Sequence, residues 1–225
     1  MKSGIFSLNR NLLSALIVGV LVALAHPAYA NQVMVFVDMS DSAGVARNGY
    51  FADFQKLPLK RGDTVLLLPL GRGTHNYAPF AKAKLPLPDA TLSPSSNENL
   101  LKDARMGLLR SLKAKLSEPP VNITSILGAF VAAQDYFFQE KVPQRERVIY
   151  ILSDMIEQSR DSGINMAKAI PDKLPERLVL PADLGATVHM VGVTIDGAHQ
   201  ARLRSFWEQA VKRTGSTLAT YRQHY

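Results

Sequence analysis

Gln32-Val33-Met34-Val35-Phe36-Val37-Asp38-Met39-Ser40-Asp41-Ser42 is a valine-rich apolar run that ends in a loop offering the Asp38 carboxylate and the Ser40 and Ser42 hydroxyls. An unbroken run of this length, without the alternation of a half-solvated strand, is the pattern of a strand buried on both faces, as in a parallel sheet. The loop behind it carries hard oxygen donors, the ligand type preferred by Mg²⁺ and similar divalent ions. One strand therefore predicts both the fold class and the chemistry at its end.

Further apolar runs repeat the pattern. Asn48 to Leu57 predicts a short helix stopped by Pro58, and Arg61-Gly62-Asp63 turns the chain into a second strand over Thr64 to Pro69. Tyr77 to Leu85 alternates apolar and polar residues, which predicts an edge strand guarded by Lys82 and Lys84. Pro86 to Asn97 reads as a loop. Leu101, Ala104, Leu108, Leu112 and Leu116 fall at helical spacing before Pro119-Pro120, and a second helix is predicted over Ser125 to Phe138. Val148 to Leu152 is the strongest buried-strand signal, with Ser153-Asp154 at its C-terminal end. A weak helix over Asn165 to Lys173, a strand over Thr187 to Val193, a helix face from Leu203 to Val211 closed by Gly215, and a last edge strand over Leu218 to Tyr221 complete the pass. Alternating strands and helices predict an α/β fold, a doubly wound, mostly parallel sheet with helices on both faces.

Residues 1–30 read as a secretory signal peptide: Lys2 and Arg10 form a positive start, Leu12 to Ala25 an apolar core, and Ala28-Tyr29-Ala30 a small-x-small cleavage site. The apolar core is about 14 residues, shorter than a membrane span, so no stable membrane insertion is expected after cleavage and the location expected is periplasmic. Residues 31–225 then form a single domain. The absence of cysteine excludes disulfides, a thiol nucleophile and a lipidated N-terminal cysteine. The formal net charge is +7, of which Lys2 and Arg10 supply two. The remaining positives are scattered without aromatic interleaving, which argues against a nucleic-acid groove and for a basic surface that favours acidic partners.

Loops after the first and fourth strands of such a sheet meet at its carboxyl edge. One of them holds Asp38, Ser40 and Ser42, and the other holds Asp154. Thr124, just before the second long helix, offers a hydroxyl from a third loop. Singly, each has an ordinary reading: Asp38, Ser40 and Ser42 as turn formers, Thr124 as a helix N-cap in competition with Ser125, and Asp154 as a loop carboxylate. Jointly, five oxygen residues in this order predict a metal site. Asp41 is expected to point away from it. The dispersed histidines show no zinc spacing, Gly71-Arg72-Gly73-Thr74 lacks phosphate-loop spacing, and Asn122-Ile123-Thr124 matches a glycosylation sequon whose threonine the metal site would use.

Asp38-x-Ser40-x-Ser42, Thr124 and Asp154 together resemble the metal-ion-dependent adhesion site of von Willebrand factor A domains, of a bacterial exported type, over essentially all of residues 31–225. The resemblance implies direct ligation of a divalent cation, Mg²⁺ first and Mn²⁺ or Ca²⁺ as alternatives, by Ser40, Ser42 and Thr124. It gives Asp38 and Asp154 the role of balancing charge, often through water. It also implies that a protein partner's acidic residue completes the shell, so the expected role is metal-dependent protein–protein interaction in an envelope complex for secretion, pilus assembly or conjugation. The chain would then not be an enzyme. The alternative is a metal-dependent periplasmic hydrolase of phosphate esters or envelope polymers. Two features depart from that family. Asp154 is followed by Met155 where glycine is usual, so that loop is expected to turn less tightly. The interval from Ser42 to Thr124 is long, with the extra material placed in the Pro86 to Asn97 loop.

Overall fold

The computed structural model describes residues 30–71, 78–160, 162–193 and 197–225. The signal-peptide reading of residues 1–29 and most of the Gly71–Thr74 turn lie outside them. A six-stranded sheet forms the centre: β1 (Gln32–Asp38), β2 (Thr64–Leu70), β3 (Ala81–Lys84), β4 (Arg147–Leu152), β7 (Thr187–Val191) and β8 (Thr217–Arg222), in spatial order β3-β2-β1-β4-β7-β8. All pairings are parallel except β2 with β3. β5 (Gln158–Ser159) and β6 (Ile164–Asn165) form a separate small hairpin.

Side-chain alternation splits the apolar runs between two cores. Val33, Val35 and Val37 face α1 (Gly44–Gln55) and α2 (Pro94–Leu116), packing with Tyr50, Phe54, Leu108 and Leu112. Met34 and Phe36 face α3 (Ile126–Gln139) and α4 (Gly197–Arg213), packing with Phe130, Phe137, Phe206 and Trp207. Burial on both sides explains why these strands read as continuous rather than alternating. The α/β fold with helices on both faces is thus present. Among the described residues no helix is long and apolar enough to cross a membrane.

Two local expectations are corrected. The Pro86 to Asn97 segment is not all loop, because α2 begins at Pro94 behind an N-cap in which Ser93 Oγ accepts from the Ser96 N–H at 3.1 Å. Pro94 suits the first helical position, where its missing N–H costs nothing. The Asn165 to Lys173 helix is absent. A single turn forms there, with Lys168 N and Ala169 N both donating to Asn165 O. Ile164 and Met166 are instead buried in the core, and Pro171 and Pro175 prevent extension.

The end of α4 is read correctly. Gly215 N donates to Lys212 O and Ser216 N to Val211 O, the paired bonds of a left-handed helix stop, with Gly215 at φ +69°. A Cβ there would sit 2.9 Å from Ala182 O. Gly215→Ala is expected to lower stability by about 1–2 kcal/mol, read as a shift of the urea midpoint at unchanged m-value.

Candidate metal centre

The direction of strand addition reverses between β1 and β4, and ligands of open α/β sheets bind beyond the carboxyl ends of the strands at such a point. Val37 is in register with Leu152, so Asp38 emerges beside Ser153 and Asp154. The chain from 117 to 125 crosses the same edge and is stitched to both loops. Val121 N donates to Met39 O and Asp41 N to Val121 O, while Thr124 and Gln158 exchange backbone hydrogen bonds.

All five predicted residues meet here. Asp38, Ser40, Thr124 and Asp154 are buried, and Ser42 is exposed at the rim. Asp38 Oδ1 accepts from Ser40 N at 2.8 Å and from Thr124 Oγ1 at 3.3 Å, and Asp38 Oδ2 accepts from Ser153 Oγ at 2.6 Å. The Ser40 and Ser42 hydroxyls are 3.0 Å apart. Asp154 Oδ1 accepts from Ile156 N at 2.9 Å, and the Ser42 and Ser153 hydroxyls act to lower the pKa of its carboxyl. Thr124 is therefore not the N-cap of α3. That position belongs to Ser125, and the threonine hydroxyl is turned into the site.

Electrostatically the centre has no cationic side chain paired with it among the described residues. Burial, followed by the charge of Asp38, pushes the Asp154 carboxyl up to about 6. Burial also raises Asp38, against the hydrogen bonds from Ser153, Ser40 and Thr124. Among the described residues no lysine, arginine or histidine forms an ion pair with either carboxylate. Beneath them lies Tyr50, fully buried, its hydroxyl without a hydrogen-bond partner among the described residues. Its pKa is raised well above the ordinary phenol value by burial and then by the charges of Asp38 and Asp154. No group of three or more histidine, cysteine, aspartate or glutamate side chains with metal-site spacing occurs among the described residues. The donor set is a hydroxyl-rich one with two carboxylates, a mixture that fits a small hard cation retaining water.

Met155 departs from expectation. It adopts φ +66° and so makes the tight turn itself. The left-handed conformation costs a non-glycine residue about 1–2 kcal/mol. Here full burial of the side chain opposes that cost, as do hydrogen bonds from Trp207 Nε1 to Met155 O at 3.0 Å and from Met155 N to Ser153 Oγ at 3.0 Å.

Three contributors were not assigned from the sequence. Ser153 was visible there as a polar residue at a strand end, and it proves to link Asp38 to the Met155 turn. Glu157, fully buried, accepts from Ile126 N at 2.7 Å and Leu127 N at 3.1 Å, and its other oxygen accepts from Ser162 Oγ at 3.0 Å. It caps α3 from a distant loop, which accounts for Ser125 making no side-chain cap bond, and it fixes the helix start next to Thr124. Burial is the main cause that raises its carboxyl to about 7. Neither Glu157 nor Tyr50 carries a local sequence signal for this role. Comparison with models of known protein families finds no match for the chain, and comparison with curated proteins finds none either.

Proposed function

We propose that the chain is an exported, periplasmic docking module that receives a partner protein's carboxylate on a divalent cation, Mg²⁺ first, held by Ser40, Ser42 and Thr124. Asp38 and Asp154 balance the ion's charge. The observation that carries this reading is the convergence of three hydroxyls on two buried carboxylates that have no cationic partner among the described residues, at the point where the order of strand addition reverses. Buried like charges without a counter-ion are costly, and a bound cation removes that cost. The resemblance to von Willebrand factor A domains supports the same ligand roles. An assembly or scaffolding part in an envelope complex follows from the export signal together with docking chemistry.

The test is thermal unfolding in chelator and in millimolar Mg²⁺. A ligand at one hundred times its dissociation constant stabilises by about 2.7 kcal/mol. Wild type is expected to gain stability with Mg²⁺, and Ser42→Ala and Thr124→Val are expected to need at least about tenfold more ion for the same gain. Ser42 is exposed, so its loss leaves the fold intact. A wild-type curve indifferent to Mg²⁺, Mn²⁺ and Ca²⁺ would overturn the reading.

A further inference from the structure

The carboxyl edge of the sheet is flanked by a cleft on either side. One, of about 560 Å³, lies between α1 and α2 and includes Ser40 in its wall together with Arg47 and Lys113. The other, of about 530 Å³, lies between the start of α3 and the β5–β6 hairpin and includes Ser125, the neighbour of Thr124, together with Arg160 and Arg177. Since α1 and α2 pack on one face of the sheet and α3 on the other, the clefts stand on opposite sides of the candidate ion.

Each cleft thus pairs two cations with a wall that holds a proposed ligand, Ser40, or the chain neighbour of one, Ser125. Lys113, Arg160 and Arg177 are exposed, and none makes an ion pair among the described residues. Arg47 differs: it donates to Leu116 O at 2.8 Å and Glu118 O at 2.7 Å, so it also holds the end of α2 and is fixed in place. Asp41 is the acid in the first cleft, and none of the described residues lining the second is acidic. Apolar groups, Phe51 and Leu116 on one side and Val131 and Val179 on the other, make each cleft suited to a chain carrying acids between small apolar residues.

We infer that the partner's contact segment is an extended acidic stretch of polypeptide that sets one carboxylate on the ion and further carboxylates in the two flanking basic clefts. This rests on the reading of the centre as a carboxylate-receiving ion site. It specifies more than that reading does, because a lone partner carboxylate would gain nothing from Lys113 or Arg177. Charge complementarity selects an acidic partner, and two separate clefts on either side of one ion select an extended segment over a single side chain.

The purified protein, saturated with Mg²⁺, is titrated with a fluorescein-labelled peptide alternating aspartate and alanine and with a control peptide carrying one central aspartate. The multiply acidic peptide is expected to bind at least about tenfold more tightly than the control. Lys113→Glu combined with Arg177→Glu is expected to remove that margin, since each reversal replaces an attraction by a repulsion of similar size. The Mg²⁺-dependent thermal shift is read on the same samples and must persist in the double variant. Equal affinity for the two peptides, or unchanged binding in the double variant, overturns the inference and leaves the ion site standing. Binding that ignores chelator overturns the central anchor, and loss of the wild-type Mg²⁺ shift overturns the ion site itself. Tighter binding to single-stranded oligothymidine or to phosphatidylglycerol vesicles than to the acidic peptide overturns the partner class.

Discussion

Asp154→Asn is expected to make the protein more stable in chelator while abolishing its response to Mg²⁺. The Asp154 carboxyl is raised from its ordinary 3.8 to about 6 by burial and then by Asp38. At pH 8 the Asp154 carboxyl is ionised, so the folded state carries a penalty of about 3 kcal/mol that an amide does not. Asparagine keeps the acceptor for Ile156 N and the shape of the loop. For a domain of this size a gain of that order raises the melting temperature by roughly 6–12 °C. The same substitution removes half of the negative charge that balances the ion, so millimolar Mg²⁺ should no longer stabilise the variant. Calorimetry with and without chelator reads both effects on one sample. A variant that is less stable than wild type in chelator would show that Asp154 serves packing and hydrogen bonding rather than waiting for a cation.

Stability should also fall as pH rises from about 4.5 to about 7, and beside Asp154 a second cause is Glu157. Its carboxyl goes from 4.5 to about 7 on folding, chiefly through burial. A carboxyl with the higher pKa in the folded state binds its proton more tightly there. The folded state is therefore favoured at low pH, where both states are protonated, and loses ground between about 4.5 and about 7. The full penalty, about 3 kcal/mol, is in place above that window. Glu157→Gln keeps an oxygen for Ile126 N and Leu127 N and an amide N–H that Ser162 Oγ can accept. It should match wild type near pH 4.5 and exceed it at pH 8. Urea titrations at the two pH values test this, and a parallel offset at both would sink the titration argument and leave Glu157 as a helix cap alone.

The legible parts of the fold were those whose signal is local. Val33 to Val37 and Val148 to Leu152 announced buried strands because both of their faces are covered, and Gly215 announced a helix stop because its conformation excludes a side chain. The first turn of α2 was missed because Ser95, Ser96, Asn97 and Glu98 show no apolar period, although Ser93-Pro94 carried a start signal of its own. Asn165 to Lys173 misled because helical spacing there competes with core anchoring by Ile164 and Met166. Met155 shows the same limit, since its left-handed turn depends on Trp207, distant in sequence, and on burial that no local pattern reveals.

By itself, the sequence determined the number and character of the buried strands, the order of the oxygen donors along the chain, and the hard-ligand chemistry they offer. These are properties of short segments, fixed by residue type and spacing. The tertiary structure decided which loops meet. Asp38 and Asp154 are neighbours because β1 pairs with β4 in the register that sets Val37 against Leu152, and the 117–125 crossing brings Thr124 onto Asp38. It also decided what surrounds them: Tyr50 beneath, Glu157 at the start of α3, and basic clefts on both sides. The physical reason is that desolvation and charge coupling depend on distance through space, and strand order sets that distance where separation along the chain does not.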